Sequence, residues 1–249
     1  MWPRSIASSP INLWARRALD IVLPPQCLRC GELVQHEGGL CPDCWKDVRF
    51  LGEPCCRICA EPFEFDVGGN ALCARCVAER PPYAQARALF AYDHHSSGPI
   101  LAFKHGDRPE LARAFARWVR ATDFVGRADM IVPVPLHWSR LFARRYNQAA
   151  LFGRELARLH HMPMEPLLLL RHRRTPSQGR RNSSARVRNV RDAFSLHPVR
   201  ARQLEGKTVL LVDDVITTGA TVAACSRILL EAGVSAVLVL AIAKVVRGG

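Results

Sequence analysis

Thr208 to Thr221 reads TVLLVDDVITTGAT, and the order of its residues decides the fold. Val209, Leu210, Leu211 and Val212 form a short, apolar run, half of it β-branched, the pattern of a strand buried on both faces of a parallel sheet. Two acids, Asp213 and Asp214, follow at once and read as a tip beyond that strand. Thr217, Thr218, Gly219, Ala220 and Thr221 then lead into a helical pattern carried by Val222, Cys225 and Leu229. A helix N-terminus carries unpaired N–H groups and a partial positive charge. Gly219 lets the backbone approach a ligand closely, and the threonines add short hydroxyl donors. The turn is therefore a cradle for a terminal phosphate monoester. The two carboxylates are too near that phosphate to be its ligands, but they suit the hydroxyls of a sugar that carries it. The stretch has neither the lysine of a P-loop nor the spacing of GxGxxG. The plainer alternative is an ordinary strand-to-helix turn with a capping threonine, but adjacent acids before TTGAT ask for more than a cap.

A chain of 249 residues holds one sizeable α/β domain and a small extra module. With 49% hydrophobic residues a packed core is available, which excludes global disorder. The formal charge is +13, and phosphorylated small molecules and nucleic acid both suit it as partners. No stretch is long and apolar enough to span a membrane. Arg4 precedes no apolar core with a small-residue cleavage site, so the expected location is cytoplasmic. Ile11, Trp14, Ala15 and Leu19 predict a short helix before Pro24-Pro25.

Ten cysteines occur mostly as CxxC pairs, which favours metal over disulfides in a leaderless protein. Cys27 and Cys30 are followed after ten residues by Cys41 and Cys44; Cys56 and Cys59 are followed after thirteen by Cys73 and Cys76. Each CxxC brings two thiolates to one zinc, and a second pair completes the tetrahedron. Sequential pairing gives two ribbons and interleaved pairing a cross-brace; spacing alone leaves both open. Eight cysteine ligands leave no open catalytic position, so two structural zinc ions are expected. Cys55 competes with Cys56, but the CxxC register favours Cys56. Cys225, inside a helical pattern, reads as core. The organisation expected is an N-terminal segment over 1–24, a double zinc module over 25–80 and an α/β domain over 83–247, with Pro81-Pro82 at the boundary.

Within the last part, Ala88 to Tyr92 reads as a strand, Ser96 to Pro99 as a turn, and Lys104 to Arg108 as a polar loop. Leu111, Ala114, Phe115, Trp118 and Val119 share one helical face. Met130 to Val134 is a strand whose proline-broken end, through Pro135, Leu136 and His137, aims backbone N–H groups at a ligand. Arg140, Arg144 and Arg145 lie beyond it, and a helix follows Tyr146, Asn147 and Gln148 with Phe152, Leu156 and Leu159 inward. Pro166 to Leu170 reads as a third strand. Arg171 to Arg191 carries eight arginines and no acid, a composition that does not pack and reads as a mobile loop or a strand pair exposed to solvent, with the grip of a nucleic-acid backbone as one use of it. Ala193, Phe194 and Leu196 are expected to rejoin the sheet. Gly233 ends the last helix, and Val237 to Ile242 is the last buried strand.

The DDVITTGAT stretch resembles the phosphoribosyl pyrophosphate motif of the type I phosphoribosyltransferases. Residues 20 to 245 resemble the ComF family, competence-related proteins with a cysteine-rich N-terminus. The segment from Val132 to Ala149 is similar to that family's VPVPLH…R…RGFNQA, with Arg145 in place of glycine and Tyr146 in place of phenylalanine. Lys104 matches the lysine of its FK-x-G segment. Thr175, Gln178, Arg186, Asn189 and Val190 match T-x2-Q…R-x2-N-V, though Arg181 stands where leucine is usual. The resemblance implies a type I phosphoribosyltransferase fold, a mostly parallel sheet flanked by helices, behind a double zinc ribbon with sequential pairing. It implies that Asp213 and Asp214 face ribose hydroxyls, and that Val215, Thr217, Thr218, Gly219, Ala220 and Thr221 wrap the 5-phosphate. Pro135, Leu136 and His137, with Arg145 and Lys104, would meet pyrophosphate and Mg²⁺, and the basic segment would form a hood. The function implied is transfer of a phosphoribosyl group to an unknown acceptor with release of pyrophosphate, linked to DNA uptake in natural transformation. Two alternatives stand beside it: a non-catalytic partner of single-stranded DNA or a competence helicase, and a nucleotide-sensing regulator.

Overall fold

A computed structural model describes residues 24–36, 38–105, 108–119, 123–137, 146–172 and 193–246. The helix expected over 11–19, Arg140, Arg144, Arg145 and most of the basic segment lie outside these residues. The chain divides into two compact units, 1–47 and 48–249.

Among the described residues of the first unit, Cys27, Cys41 and Cys44 are buried, with Val34 and Leu40 packed against them. Metal at these thiols would add cohesion to so small a cluster. Its short helix α1 (Pro42–Asp47) puts Cys44 one turn on from Cys41. The second unit opens with the same local design. The Gly31 N–H bonds the Cys27 carbonyl, and the Ala60 N–H bonds the Cys56 carbonyl. Gly31 and Ala60, each just after its CxxC, both have positive φ. Helix α2 (Ala74–Ala78) follows Cys73 and carries Cys76.

The main sheet contains β1 (Gln85–Ala91), β2 (Met130–Pro133), β5 (Thr208–Ile216) and β6 (Ala236–Lys244), in the spatial order β1-β6-β5-β2. All three pairings are parallel. Central strands buried on both faces must be apolar throughout, and Val209 to Val212 and Val237 to Ala243 are. On one face Val209, Leu211 and Val239 pack with Val222, Cys225 and Leu229 of α6 (Ala220–Glu231). On the other lies α5 (Gln148–His160). There a Cβ on Gly153 would stand 3.1 Å from Val212 and 3.2 Å from Ile131, so the absence of a side chain is what lets this helix close on the sheet. Both sheet edges are covered, which blunts them as pairing templates. Segment 49–51 and Ile58 bond β1, and residues 163–165 bond β2 at Ile131.

Four expectations need correction. Ser96 to Pro99 is not a turn but part of α3 (His94–His105). Asp93 starts that helix, accepting from the N–H groups of His95 and Ser96 while the Ser96 hydroxyl accepts from the Asp93 N–H. Such a reciprocal cap outweighs the single bond lost at Pro99. Lys104 and His105 accordingly end a helix rather than begin a loop. Residues 166–168 are not strand, and β3 (Leu169–Arg171) does not join the main sheet. It pairs antiparallel with β4 (Phe194–Leu196), which therefore does not rejoin the sheet either. Helix α4 (Leu111–Val119) buries the face read from its periodicity.

Candidate functional site

The site stands at the C-terminal ends of the parallel strands, where an open α/β sheet presents its crevice. Asp213 and Asp214 are not a tip beyond β5: the strand runs on to Ile216, and Val215 pairs with Ala243 in the ladder. Both acids are half-buried, and a backbone bond from the Asp214 N–H to Asp213 Oδ1 (2.8 Å) fixes their mutual orientation. Burial pushes the Asp213 carboxyl up to about 8, and the charge of Asp214 adds to the effect; the Asp214 N–H, Lys104 and Arg171 pull the other way. Both side chains present oxygens that can accept hydrogen bonds at the open end of the sheet.

Lys104 Nζ lies 3.2 Å from Asp214 Oδ2, with each side chain only 16% exposed. The end of α3 holds it there. A helix leaves its last carbonyls unpaired, and here Tyr146 Oη donates to the Phe103 carbonyl (2.9 Å) while Gln148 Nε2 donates to that of Lys104 (3.2 Å). Asn147 caps α5 by accepting from the Ala150 N–H and donates to the Val134 carbonyl. The Tyr146-Asn147-Gln148 run therefore ties α3, α5 and the end of β2 together. Pro135 and His137 are buried just past β2, and Leu136 is half-buried. Thr217, Thr218 and Gly219 form the turn into α6. Gly219 has φ +80°, a conformation that favours glycine, and the Thr218 hydroxyl accepts from the Ala220 N–H at 3.4 Å. Thr221 lies in the first turn of α6.

Two site residues had no signal in the sequence. Arg171, read only as one of a basic run, stacks on Phe194 at 5.1 Å and acts on Asp213. Arg75, between two cysteines, donates to the Thr218 carbonyl at 2.7 Å. Only the folded chain brings either one to the strand ends.

The cysteines form two clusters, Cys27, Cys30, Cys41 and Cys44, and Cys56, Cys59, Cys73 and Cys76, each with ligand atoms all within 4.8 Å of one another. A zinc tetrahedron with ~2.3 Å bonds has edges of about 3.8 Å. The Cys30–Cys41 and Cys59–Cys73 sulfurs are both 3.6 Å apart. Burial opposes charge on Cys27 and Cys56, yet backbone N–H groups outweigh it and bring these thiols down to about 6 and about 7. Both donor sets fit zinc. Pairing is sequential, and Cys55 stays out of the cluster, as does the buried Cys225.

These features define a protein class: a cysteine-ligated double ribbon with a mixed α/β domain whose parallel sheet is flanked by helices. A family model for the double zinc ribbon domain matches residues 18–77, and one for the phosphoribosyl transferase domain matches residues 149–247. DNA utilization protein YhgH of Escherichia coli (strain K12) is 31% identical over 228 residues, spanning 88% of this chain and 96% of that protein. Competence protein F of Haemophilus influenzae is 29% identical over 227 residues, with the same coverage. Competence protein ComFC of Bacillus subtilis is 25% identical over 213 residues, spanning 82% of this chain and 83% of its own. The chain belongs to the ComF family. Among the described residues no helix is long and apolar enough to cross a membrane.

Proposed function

We propose that the strand-end site binds phosphoribosyl pyrophosphate with Mg²⁺, on a type I phosphoribosyltransferase fold, and transfers the phosphoribosyl group to an acceptor. The observation that carries this reading is the sequence of groups along one element pair. Asp213 and Asp214 lie in the C-terminal part of β5, which runs on to Ile216, and Gly219 then opens the N-terminus of α6. Carboxylates accept from ribose hydroxyls, and the helix N-terminus receives the 5-phosphate through its free N–H groups. Lys104 lies beside the acids and supplies a cation where the leaving group develops charge. Pro135, Leu136 and His137 complete the pyrophosphate side, and the family resemblance would add Arg145. In the reaction the bond from C1 to pyrophosphate breaks as a bond from C1 to the acceptor forms. Such a cation-like centre asks for charge compensation and dryness more than for a strong base.

A second reading rests on the formal charge of +13 and on relatives named for competence and DNA utilization. In it, the chain meets single-stranded DNA or a competence helicase in the cytoplasm, and the sugar-phosphate site serves regulation. Isothermal titration with phosphoribosyl pyrophosphate, with and without Mg²⁺, and then with single-stranded DNA separates the two. Mg²⁺-dependent binding of the sugar phosphate without DNA binding supports the transferase; DNA binding alone supports the second reading.

A further inference from the structure

The second cysteine cluster belongs to the same compact unit as the sheet. Its surroundings are shared with the sheet's ligand end. Cys56, Ile58 and Cys76 sit in one apolar cluster with Leu211, Val222 and Ala241. Lys244, the last residue of β6, is buried and paired with Glu61 at 2.6 Å. Tyr83 is buried, and its hydroxyl lies 3.8 Å from where a Cβ on Gly219 would stand. Burial raises the Tyr83 phenol.

Arg75 makes the one polar link from this cluster to the turn that is seen among the described residues, donating to the Thr218 carbonyl at 2.7 Å. Its place on α2 depends on its neighbours. The helix has five residues, Ala74–Ala78, too few to persist alone. Cys73 and Cys76 lie on either side of Arg75, so a metal shared by their thiolates would hold it further in place.

The contact matters because of peptide geometry. In a trans peptide the carbonyl of Thr218 and the N–H of Gly219 point to opposite sides of one plane. At glycine both orientations of that plane are accessible. Holding the Thr218 carbonyl toward Arg75 therefore turns the Gly219 N–H away from Arg75. It also keeps a carbonyl dipole from facing a bound anion.

We propose that Arg75 is a positioning residue that latches the Thr218–Gly219 peptide, so that the second zinc ribbon is a working part of the phosphate site. Metal occupancy at Cys56, Cys59, Cys73 and Cys76 and anion binding at the turn are then linked, and each favours the other. The inference deepens the proposed sugar-phosphate reading and rests on it for the identity of the ligand, but the latch itself is testable without ligand.

The test uses the full zinc-loaded chain with Arg75→Met and Arg75→Lys. Metal analysis should show both variants retaining the zinc of the wild type. Amide hydrogen exchange over 217–221 should quicken in Arg75→Met and be partly restored in Arg75→Lys, whose ammonium still reaches a carbonyl. Affinity for ribose 5-phosphate should fall about tenfold in Arg75→Met, the scale of one hydrogen bond to a charged group. Saturating ribose 5-phosphate should slow zinc release to a chelator in the wild type and not in Arg75→Met. Wild-type exchange over 217–221 in Arg75→Met, with zinc retained, overturns the latch. A wild type that exchanges as described but binds no ribose 5-phosphate overturns the proposed function and leaves the latch standing.

Discussion

Asp213 shows best how position gives a residue its chemistry. Its carboxyl, raised from 3.8 to about 8, stays protonated in the folded chain at pH values where the unfolded chain has released the proton. Between those limits the native state binds more protons, so its stability falls as pH rises. Asp213→Asn removes that slope. Thermal unfolding of the variant should gain on the wild type steadily from pH 6 to about pH 8 and by no more above it, a window that also avoids acid loss of zinc. The Lys104–Asp214 pair, 3.2 Å apart and mostly shielded, should behave as a coupled unit. A double-mutant cycle with Lys104→Met and Asp214→Asn should give a coupling of ~1–2 kcal/mol in denaturant unfolding. A value near zero would mean that solvent screens the pair. The sequence carried the identities of Lys104 and both acids, but not their pairing, because that contact joins the end of one helix to a strand over a hundred positions away.

At the scale of elements, apolar runs located β2, β5, β6 and the inward faces of α4 and α5, since burial on both faces of a parallel sheet writes itself directly into composition. Backbone ladders leave no such mark. The continuation of β5 through Asp213 and Asp214 is set by its pairing with β6, and the acids are compatible with it because they sit at the sheet's open end. Gly and Pro at 98 and 99 signal a break, yet the Asp93–Ser96 cap upstream prevails. The turn into α6 was legible because its glycine is demanded by a φ of +80°. Gly219→Ala should cost about 1 kcal/mol of stability in denaturant unfolding, with weaker sugar-phosphate binding on top. A neutral effect would show that the turn adopts another backbone in solution.

For the whole molecule, the two cysteine clusters require about two zinc equivalents per chain. Cys55→Ser should keep both and Cys56→Ser should lose one by metal analysis, since Cys55 stands outside the cluster. A single equivalent in the wild type contradicts the double ribbon. If the basic segment grips nucleic acid, replacing Arg180, Arg181, Arg186 and Arg188 together should flatten the salt dependence of single-stranded DNA binding, by about 0.7 in log–log slope per lost phosphate contact. An unchanged slope assigns those arginines elsewhere. The central claim is that Asp213 and Asp214 hold a ribose whose phosphate lies on the start of α6. Its most direct test is calorimetry of phosphoribosyl pyrophosphate with Mg²⁺ on the wild type and on Asp213→Asn/Asp214→Asn. The variant should fold and keep its zinc, while its affinity drops tenfold or more, since a hydrogen bond to the carboxylate of Asp214, which is paired with Lys104, contributes roughly 1.5–3 kcal/mol. Equal affinity in the two proteins would place the ligand somewhere else.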